Sequence, residues 1–386
     1  MLPLTHVVII GALPESLVNF RGELIRSLVL GGHQVTAMAA PADRKSVAAI
    51  EALGATFRSF PIKRSGLNPL SELRTLYALR AIFQELKPDI VLAYTIKPVI
   101  WSGLALIGLR DISYFALITG LGISLEGQTL PRKMLRAITS RLYRLSFRRA
   151  IRVIFQNRDN LEFAISNKLA LPQKCLVVDG SGVDTTWFEL TELPSGPPVF
   201  LLIARLLADK GLREYAAAAQ VVKSQYPEVR FQLLGPSDPS PNAISVDEVH
   251  SWNNEGRIDY LGSTDDVRPY IADCHVYVLP SYHEGMPRSV LEAMAMGRPI
   301  LTTDTSGCRE TVVSGENGQL IPTANAKELA NKLIWFLENR SRWHEMGIAS
   351  RNMAETRFNV HKINGELIKI LGVDRLVVNK QPRGAR

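Results

Sequence analysis

The sequence predicts an α/β protein of two doubly wound units, each a parallel sheet with helices on both faces. Three observations carry this. Short, uniformly apolar runs, unsuited to half-exposed hairpins, alternate with segments whose apolar residues recur at helical spacing. The alternation pauses in a glycine- and proline-rich stretch after Gly180 and then restarts. The length of 386 residues exceeds one ordinary core and suggests two domains of roughly 180 residues each.

In chain order, the first set of strands is expected at His6–Ala12, Gln34–Ala39, Ala55–Pro61, Asp89–Thr95, Ser113–Thr119, Arg152–Gln156 and Cys175–Asp179. Between the first two, Asn19–Leu30 places Phe20, Leu24 and Leu28 beside Ile25 and Val29 on a helical face, and Gly31-Gly32 stops that helix. Ser181–Pro198 reads as an interdomain linker. The second set follows at Val199–Ala204, Arg230–Leu234, Ile258–Leu261, His275–Pro280, Arg298–Thr303 and Gln319–Pro322. Strands alternating with helices imply right-handed parallel crossovers. The expected division is 1–185 and 186–372, with a helix around 360–372 packing back on the first domain and a fraying basic tail at 373–386. Two such units predict facing domains, with ligands gathered at the carboxyl ends of the strands.

Hydrophobic content of 46% and charged content of 21% describe a globular chain. A net charge of +8 favours anionic partners such as nucleotide phosphates or anionic lipid. Cys175, Cys274 and Cys308 show neither metal-ligand spacing nor a disulfide framework, which fits a reducing compartment. The opening MLPLTHVVIIGALPES reads as a first buried strand rather than a signal peptide. Pro98–Leu109, the best candidate span, is about 12 residues against the roughly 20 a crossing needs. Membrane contact is therefore expected to be peripheral.

The chemistry concentrates in His275–Glu310, read as strand, tight loop, helix and second strand. Glu284 ends the first strand and Glu292 lies in the helix, with seven residues between them. Gly285 lets the loop turn, and Pro287 is expected at the first helical position. Backbone amides at such a helix start form a phosphate site. Two flanking carboxylates suggest recognition of hydroxyls, as on a sugar and a ribose. Glu292 stands in the otherwise apolar VLEAMAM, where an unpartnered carboxylate is costly. Arg205 and Lys210 follow an earlier strand end and could neutralise a diphosphate. Gly235-Pro236 and Leu261-Gly262-Ser263-Thr264 end two further strands and could hold a flat base. Each of these signals alone also suits ordinary turns and surface cations.

Together they form a resemblance. EGMPRSVLE carries an E-x7-E signature, and its setting PSYHEGMPRSVLEAMAMGRPIL resembles the retaining nucleotide-sugar glycosyltransferases of family 4. IARLLADKGL and GSGVDTTWF resemble that family's phosphate-binding and interdomain segments. NFRGELIRSLVLGGHQV, YTIKPVIWSG and ITGLG resemble a subgroup acting on lipid-linked oligosaccharides in bacterial envelope glycan synthesis. The resemblance implies a GT-B fold and metal-independent transfer, with the donor in the C-terminal domain and the acceptor in the N-terminal one. It gives Glu284 the donor sugar hydroxyls and Glu292 the ribose hydroxyls. It implies that Arg205 and Lys210 hold the diphosphate together with the amides of Met286 to Val290 (Met286, Pro287, Arg288, Ser289 and Val290), with Gly285 a further substrate-binding position. No D-x-D motif, which metal-dependent transferases commonly use, occurs in the chain. One departure stands out: Thr119 occupies a place where many members carry histidine, so no imidazole role is assigned. Gly11, in the turn after the first strand, is expected where acceptor and donor phosphate would meet, Arg21 and Lys97 are candidates for an acceptor phosphate, and GALPESLVNFR is not a G-x-G-x-x-G fingerprint.

LPRKMLRAITSRLYRLSFRRAIR, from Leu130 to Arg152, holds eight cations and no acid, with apolar residues at helical spacing. A helix over Arg132–Arg152 is expected to lie on an anionic bilayer. No nucleic-acid module accompanies the charge. The expected function is retaining transfer of a hexose or N-acetylhexosamine, from UDP or another nucleotide diphosphate, to a polyprenyl-diphosphate-linked saccharide. The donor is a substrate and no cofactor is expected. The expected location is cytoplasmic and peripheral, on the inner face of the membrane. Transfer to a soluble acceptor, a nucleotide-sugar epimerase and a sensor on the same fold are the alternatives.

Overall fold

Each apolar run assigned to a strand forms one, mostly trimmed at its ends where turn residues begin. The computed structural model describes residues 5–63, 66, 68–121, 130–240 and 242–374. The chain divides into two compact units: 1–156, 160–178 and 361–386 form unit 1, and 157–159 with 179–360 form unit 2.

Unit 1 alternates β1 (His6–Ile10), α1 (Pro14–Leu30), β2 (Gln34–Ala39), α2 (Arg44–Glu51), β3 (Thr56–Ser59), α3 (Pro69–Leu86), β4 (Ile90–Tyr94), α4 (Ile96–Ala105), β5 (Ser113–Ile118), α5 (Leu130–Arg149), β6 (Arg152–Phe155), α6 (Arg158–Ser166) and β7 (Cys175–Val177). Its seven strands are parallel in the order β3-β2-β1-β4-β5-β6-β7. The chain leaves β1 in one direction and returns beside it as β4, which makes the β1/β4 boundary the switch point. Val7 pairs with Val35 on one side and Ile90 on the other.

Unit 2 continues with β8 (Val199–Ile203), α7 (Leu212–Lys223), β9 (Arg230–Leu234), α8 (Val246–Asn254), β10 (Asp259–Tyr260), α9 (Arg268–Ala272), β11 (Val276–Leu279), α10 (Arg288–Ala295), β12 (Ile300–Thr303), β13 (Gly318–Ile321), α11 (Ala326–Glu338) and α12 (Trp343–Thr356). Its parallel sheet runs β10-β9-β8-β11-β12-β13, with its switch point between β8 and β11. The last helix, α13 (Val360–Leu371), buries Ile363, Leu367 and Leu371 in the unit 1 core beside Leu17, Leu24 and Tyr94.

Several expectations change. The first helix begins at Pro14, ahead of Asn19, because proline pre-sets the first helical φ after an extended Leu13. Phe20 is exposed, and Arg21 occupies a buried place on that helix. The stretch after Gly180 is not a free linker. Val183 N bonds Phe358 O and Val360 N bonds Val183 O, so the segment is built into unit 2, whose main stretch runs Asp179–Val360. Pro98–Leu109 supplies α4, whose Pro98, Val99 and Ile100 are buried, and no helix among the described residues is long and apolar enough to cross a membrane.

The basic helix is shorter than expected. Arg152 starts β6, and α5 ends at Arg149. The Arg149 guanidinium turns inward and donates to the carbonyls of Leu106, Leu109 and Ile112. Arg144 binds the carbonyls of Asn167 and Lys168, and Arg136 donates to Asn167 Oδ1. What remains outward is a stripe of Met134, Ile138 and Leu145 among Lys133, Arg141 and Arg148.

Candidate active site

Two strand ends at the switch point of unit 2 bring the predicted donor residues together. Lys210 lies in a short turn after β8 and Glu284 in the loop after β11, and Lys210 Nζ meets Glu284 Oε1 at 2.5 Å. Both side chains are mostly buried. The Glu284 loop is held from several sides. Thr305 Oγ1 donates to Tyr282 O, Asn157 Nδ2 donates to Gly285 O, and Ser306 Oγ lies 3.2 Å from Asn157 Oδ1. A side chain at Gly307 would run into the carbonyls of Glu284 and Gly285, so the close approach requires glycine there.

Pro287 is the N-cap of α10, and Arg288 is its first helical residue, one place later than expected, because Pro287 keeps an extended ψ of 103°. The cap has no side-chain hydrogen bond. The amides of Val290 and Leu291 are spent on Pro287 O, which removes Val290 from the expected set of phosphate donors. Ser289 Oγ donates to Ile203 O at 3.2 Å, which ties the start of α10 to the end of β8. Met286 packs as a buried side chain in the unit 2 core.

Glu292 lies in the buried face of α10 and accepts from Arg288 Nε at 2.7 Å. Burial raises its pKa, and the neighbouring guanidinium opposes that rise. Arg205 pairs with Asp238, a residue that the sequence reading missed. Burial works to raise the Asp238 pKa, but hydrogen bonds from Ser240 and the Arg205 charge overcome it and bring the pKa to about 2. Asp238 follows the glycine turn after β9, and no local pattern marks it. Gly235 and Gly262 end adjacent strands and touch directly, Gly235 N donating to Gly262 O at 2.7 Å. A Cβ on Gly235 would meet Ala204 O at 1.8 Å. Leu261 stands partly exposed beside them.

The remaining candidates lie in unit 1. Gly11 follows β1, and a side chain there would collide with Tyr94 Oη, which pairs with Ser16 Oγ at 2.7 Å. Thr119 follows β5 and is half-buried, and 122–129, just beyond it, fall outside the described residues. Lys97 is engaged by α3: its Nζ donates to Glu72 Oε1 at 2.5 Å and Gly66 O at 2.8 Å. Arg21 is 1% exposed. Among the described residues, no group of three or more His, Cys, Asp or Glu side chains could hold a metal.

This arrangement offers cations, helix-terminal amides and carboxylates at one switch point, a chemistry suited to a sugar diphosphate. Comparisons with known proteins place the chain as a whole among glycosyltransferases. The family model "Glycosyl transferases group 1" matches residues 183–353, and "Glycosyl transferase 4-like" matches residues 15–157. The N,N'-diacetylbacillosaminyl-diphospho-undecaprenol alpha-1,3-N-acetylgalactosaminyltransferase of Campylobacter jejuni is 31% identical over 300 residues, 74% of this chain and 78% of the relative. The UDP-Gal:alpha-D-GlcNAc-diphosphoundecaprenol alpha-1,3-galactosyltransferase of Escherichia coli is 25% identical over 326 residues, 81% of each. The crystal structure of HepE from Anabaena in complex with UDP-glucose superposes with a TM-score of 0.77 at 20% identity, covering 95% of this chain and 99% of that one. On these grounds the chain belongs to the group 1 glycosyltransferases and carries their GT-B fold.

Proposed function

We propose that this glycosyltransferase moves a hexose or N-acetylhexosamine, with retention, from a UDP-sugar to a polyprenyl-diphosphate-linked saccharide in bacterial surface glycan synthesis. The observation that carries the donor half is the Lys210–Glu284 contact: residues 74 apart in sequence share one strand-end site. Lys210, Arg205 and the first amides of α10 would stabilise the departing diphosphate. In a dry site such preorganised donors are worth several kcal/mol. Glu284 would accept sugar hydroxyls and Glu292 ribose hydroxyls.

Retention follows if the acceptor hydroxyl attacks from the face the diphosphate leaves. The C1–O bond to the β-phosphate breaks as the new C1–O bond forms, and the acceptor's proton passes to the departing phosphate oxygen. No protein base is then required. The names of the Campylobacter jejuni and Escherichia coli relatives, both transferases to undecaprenyl-diphosphate-linked sugars, support the acceptor class. Lys133, Arg141 and Arg148, with the apolar stripe between them, support a peripheral position on an anionic membrane.

The test is a panel of nucleotide sugars with a polyprenyl-diphosphate-linked saccharide, in excess EDTA, read by nucleotide release and product anomer. Transfer from a UDP-sugar at the metal-replete rate, with retained configuration, is expected. Inverted product, or loss of activity that Mg²⁺ restores, would sink the corresponding part. Arg205→Ala is expected to weaken UDP binding by roughly tenfold or more, the loss of a charged hydrogen bond.

A further inference from the structure

The chain leaves unit 1 after Gln156, contributes residues 157–159 to unit 2, and re-enters unit 1 at Asn160. Each of the three residues is fastened within unit 2. Asp159 Oδ2 accepts from Arg309 Nη1 at 3.1 Å, and Arg158 N donates to Glu310 Oε1 at 3.4 Å. Glu310 is itself gripped by Arg357, which donates to its backbone oxygen and to its carboxylate. Asn157 is 1% exposed, with Nδ2 on Gly285 O and Oδ1 facing Ser306 Oγ. A carbonyl can only accept, so the Gly285 oxygen fixes which end of the Asn157 amide faces it. A buried amide engaged at both ends holds one orientation.

That orientation bears on the two peptides that follow Glu284. A Cβ on Gly307 would stand 2.7 Å from Glu284 O and 2.5 Å from Gly285 O, so two successive carbonyls face the same residue. Across a planar trans peptide the C=O and N–H point in opposite directions. The amides of Gly285 and Met286 therefore point away from Gly307 together, as the successive donors of an anion-binding concavity do. Neither amide donates a hydrogen bond among the described residues. Glu284, paired with Lys210, directly precedes them. The loop's own sequence does not keep this arrangement. Glycine at 285 lets the adjoining peptides rotate, and rotation would replace an outward N–H by an outward carbonyl oxygen. Asn157 opposes that rotation by holding the Gly285 oxygen, and Gly307 by leaving room for it.

We propose that Asn157 is a positioning residue for the donor: it locks the Gly285–Met286 peptide so that the two amides after Glu284 meet the β-phosphate of the nucleotide sugar. This rests on the UDP-sugar reading above and adds to it the residue that aims the amides. Loss of the Asn157 side-chain donor frees the Gly285 carbonyl, which must find another partner. Turning toward water, it sets an oxygen against the β-phosphate in place of an N–H. A ligand that ends at the α-phosphate does not meet this change.

The experiment is calorimetric titration of the full chain with UDP and with UMP, which differ by the β-phosphate, in wild type and in Asn157→Leu. Leucine is similar to asparagine in shape and adds no charge. Wild type is expected to bind UDP more tightly than UMP, and equal affinity overturns the β-phosphate contact. In the variant UDP is expected to bind at least roughly tenfold more weakly, as loss of hydrogen bonds to a charged group does, with UMP within about twofold. Equal weakening of both ligands marks general damage and overturns the positioning role, as does unchanged UDP affinity. Amide hydrogen exchange in wild type reads the same contact without a substitution, and decides the matter if the variant does not fold. UDP is expected to slow exchange at Gly285 and Met286 and UMP to leave it unchanged. Equal protection by both, or by neither, overturns the proposal. If wild type binds neither UDP nor UMP, the uridine reading fails, and the guanosine and adenosine pairs of diphosphate and monophosphate decide this inference by the same criteria. Binding of no nucleoside diphosphate overturns both.

Discussion

Asp238 holds a charge on which the Arg205 loop depends, and its titration makes that dependence measurable. Its folded pKa lies below the ordinary value, 3.8 against about 2. The stability it contributes is therefore complete above about pH 4 and is lost as pH falls toward 2. Asp238→Asn is expected to flatten the decline in melting temperature between pH 5 and 3, relative to wild type. An unchanged slope would show that the ion pair carries no stability. Glu292 has the opposite sign. Burial raises its pKa, so the folded chain binds the proton more tightly than the unfolded chain does. Its contribution is greatest at low pH and falls as pH rises through the raised value. Glu292→Gln is expected to remove that decline while weakening UDP binding roughly tenfold, as the loss of carboxylate hydrogen bonds to a ribose would. Normal UDP affinity in this variant would exclude the ribose role.

Among the elements, α5 shows how a charge run is sorted by its neighbours. The sequence presents eight cations on equal terms, but Arg149 is consumed by three carbonyls near the end of α4, and Arg152 belongs to a strand. A membrane contact by α5 would draw on Lys133, Arg141 and Arg148, which stand exposed among its described side chains. The double variant Arg141→Glu with Arg148→Glu is expected to weaken binding to anionic liposomes by more than about tenfold, at about 1 kcal/mol per cation. Sedimentation with vesicles at fixed ionic strength checks this, and unchanged binding rules the helix out. Strands were legible because burial on both faces demands uninterrupted apolar runs. The segment after Gly180 was not, since its order comes from pairing with Phe358 and Val360, residues far along the chain. The burial of Arg21, though not the residue itself, was hidden for the same reason: on a helix facing solvent the same letter would be an ordinary surface cation.

In the molecule as a whole, alternation and length were enough to reveal two parallel sheets. As candidates, Glu284 and Glu292 were also legible through a signature whose spacing follows one loop and one helix, and Arg205 and Lys210 through the separate segment IARLLADKGL after β8. Their partners were not. Asp238 and Asn157 reach the site through turns that no local pattern marks. The pairing of Lys210 with Glu284 bears on turnover. A bare anion that takes Lys210 leaves Glu284 desolvated and alone, whereas a nucleotide sugar offers each of them a partner. On the proposed function, once the sugar has gone Glu284 would compete with the remaining diphosphate for the same ammonium group, and that competition would favour release of the product. Glu284→Gln is accordingly expected to retain UDP more tightly than wild type while binding the UDP-sugar more weakly, an inversion that equilibrium titration with each ligand reads directly.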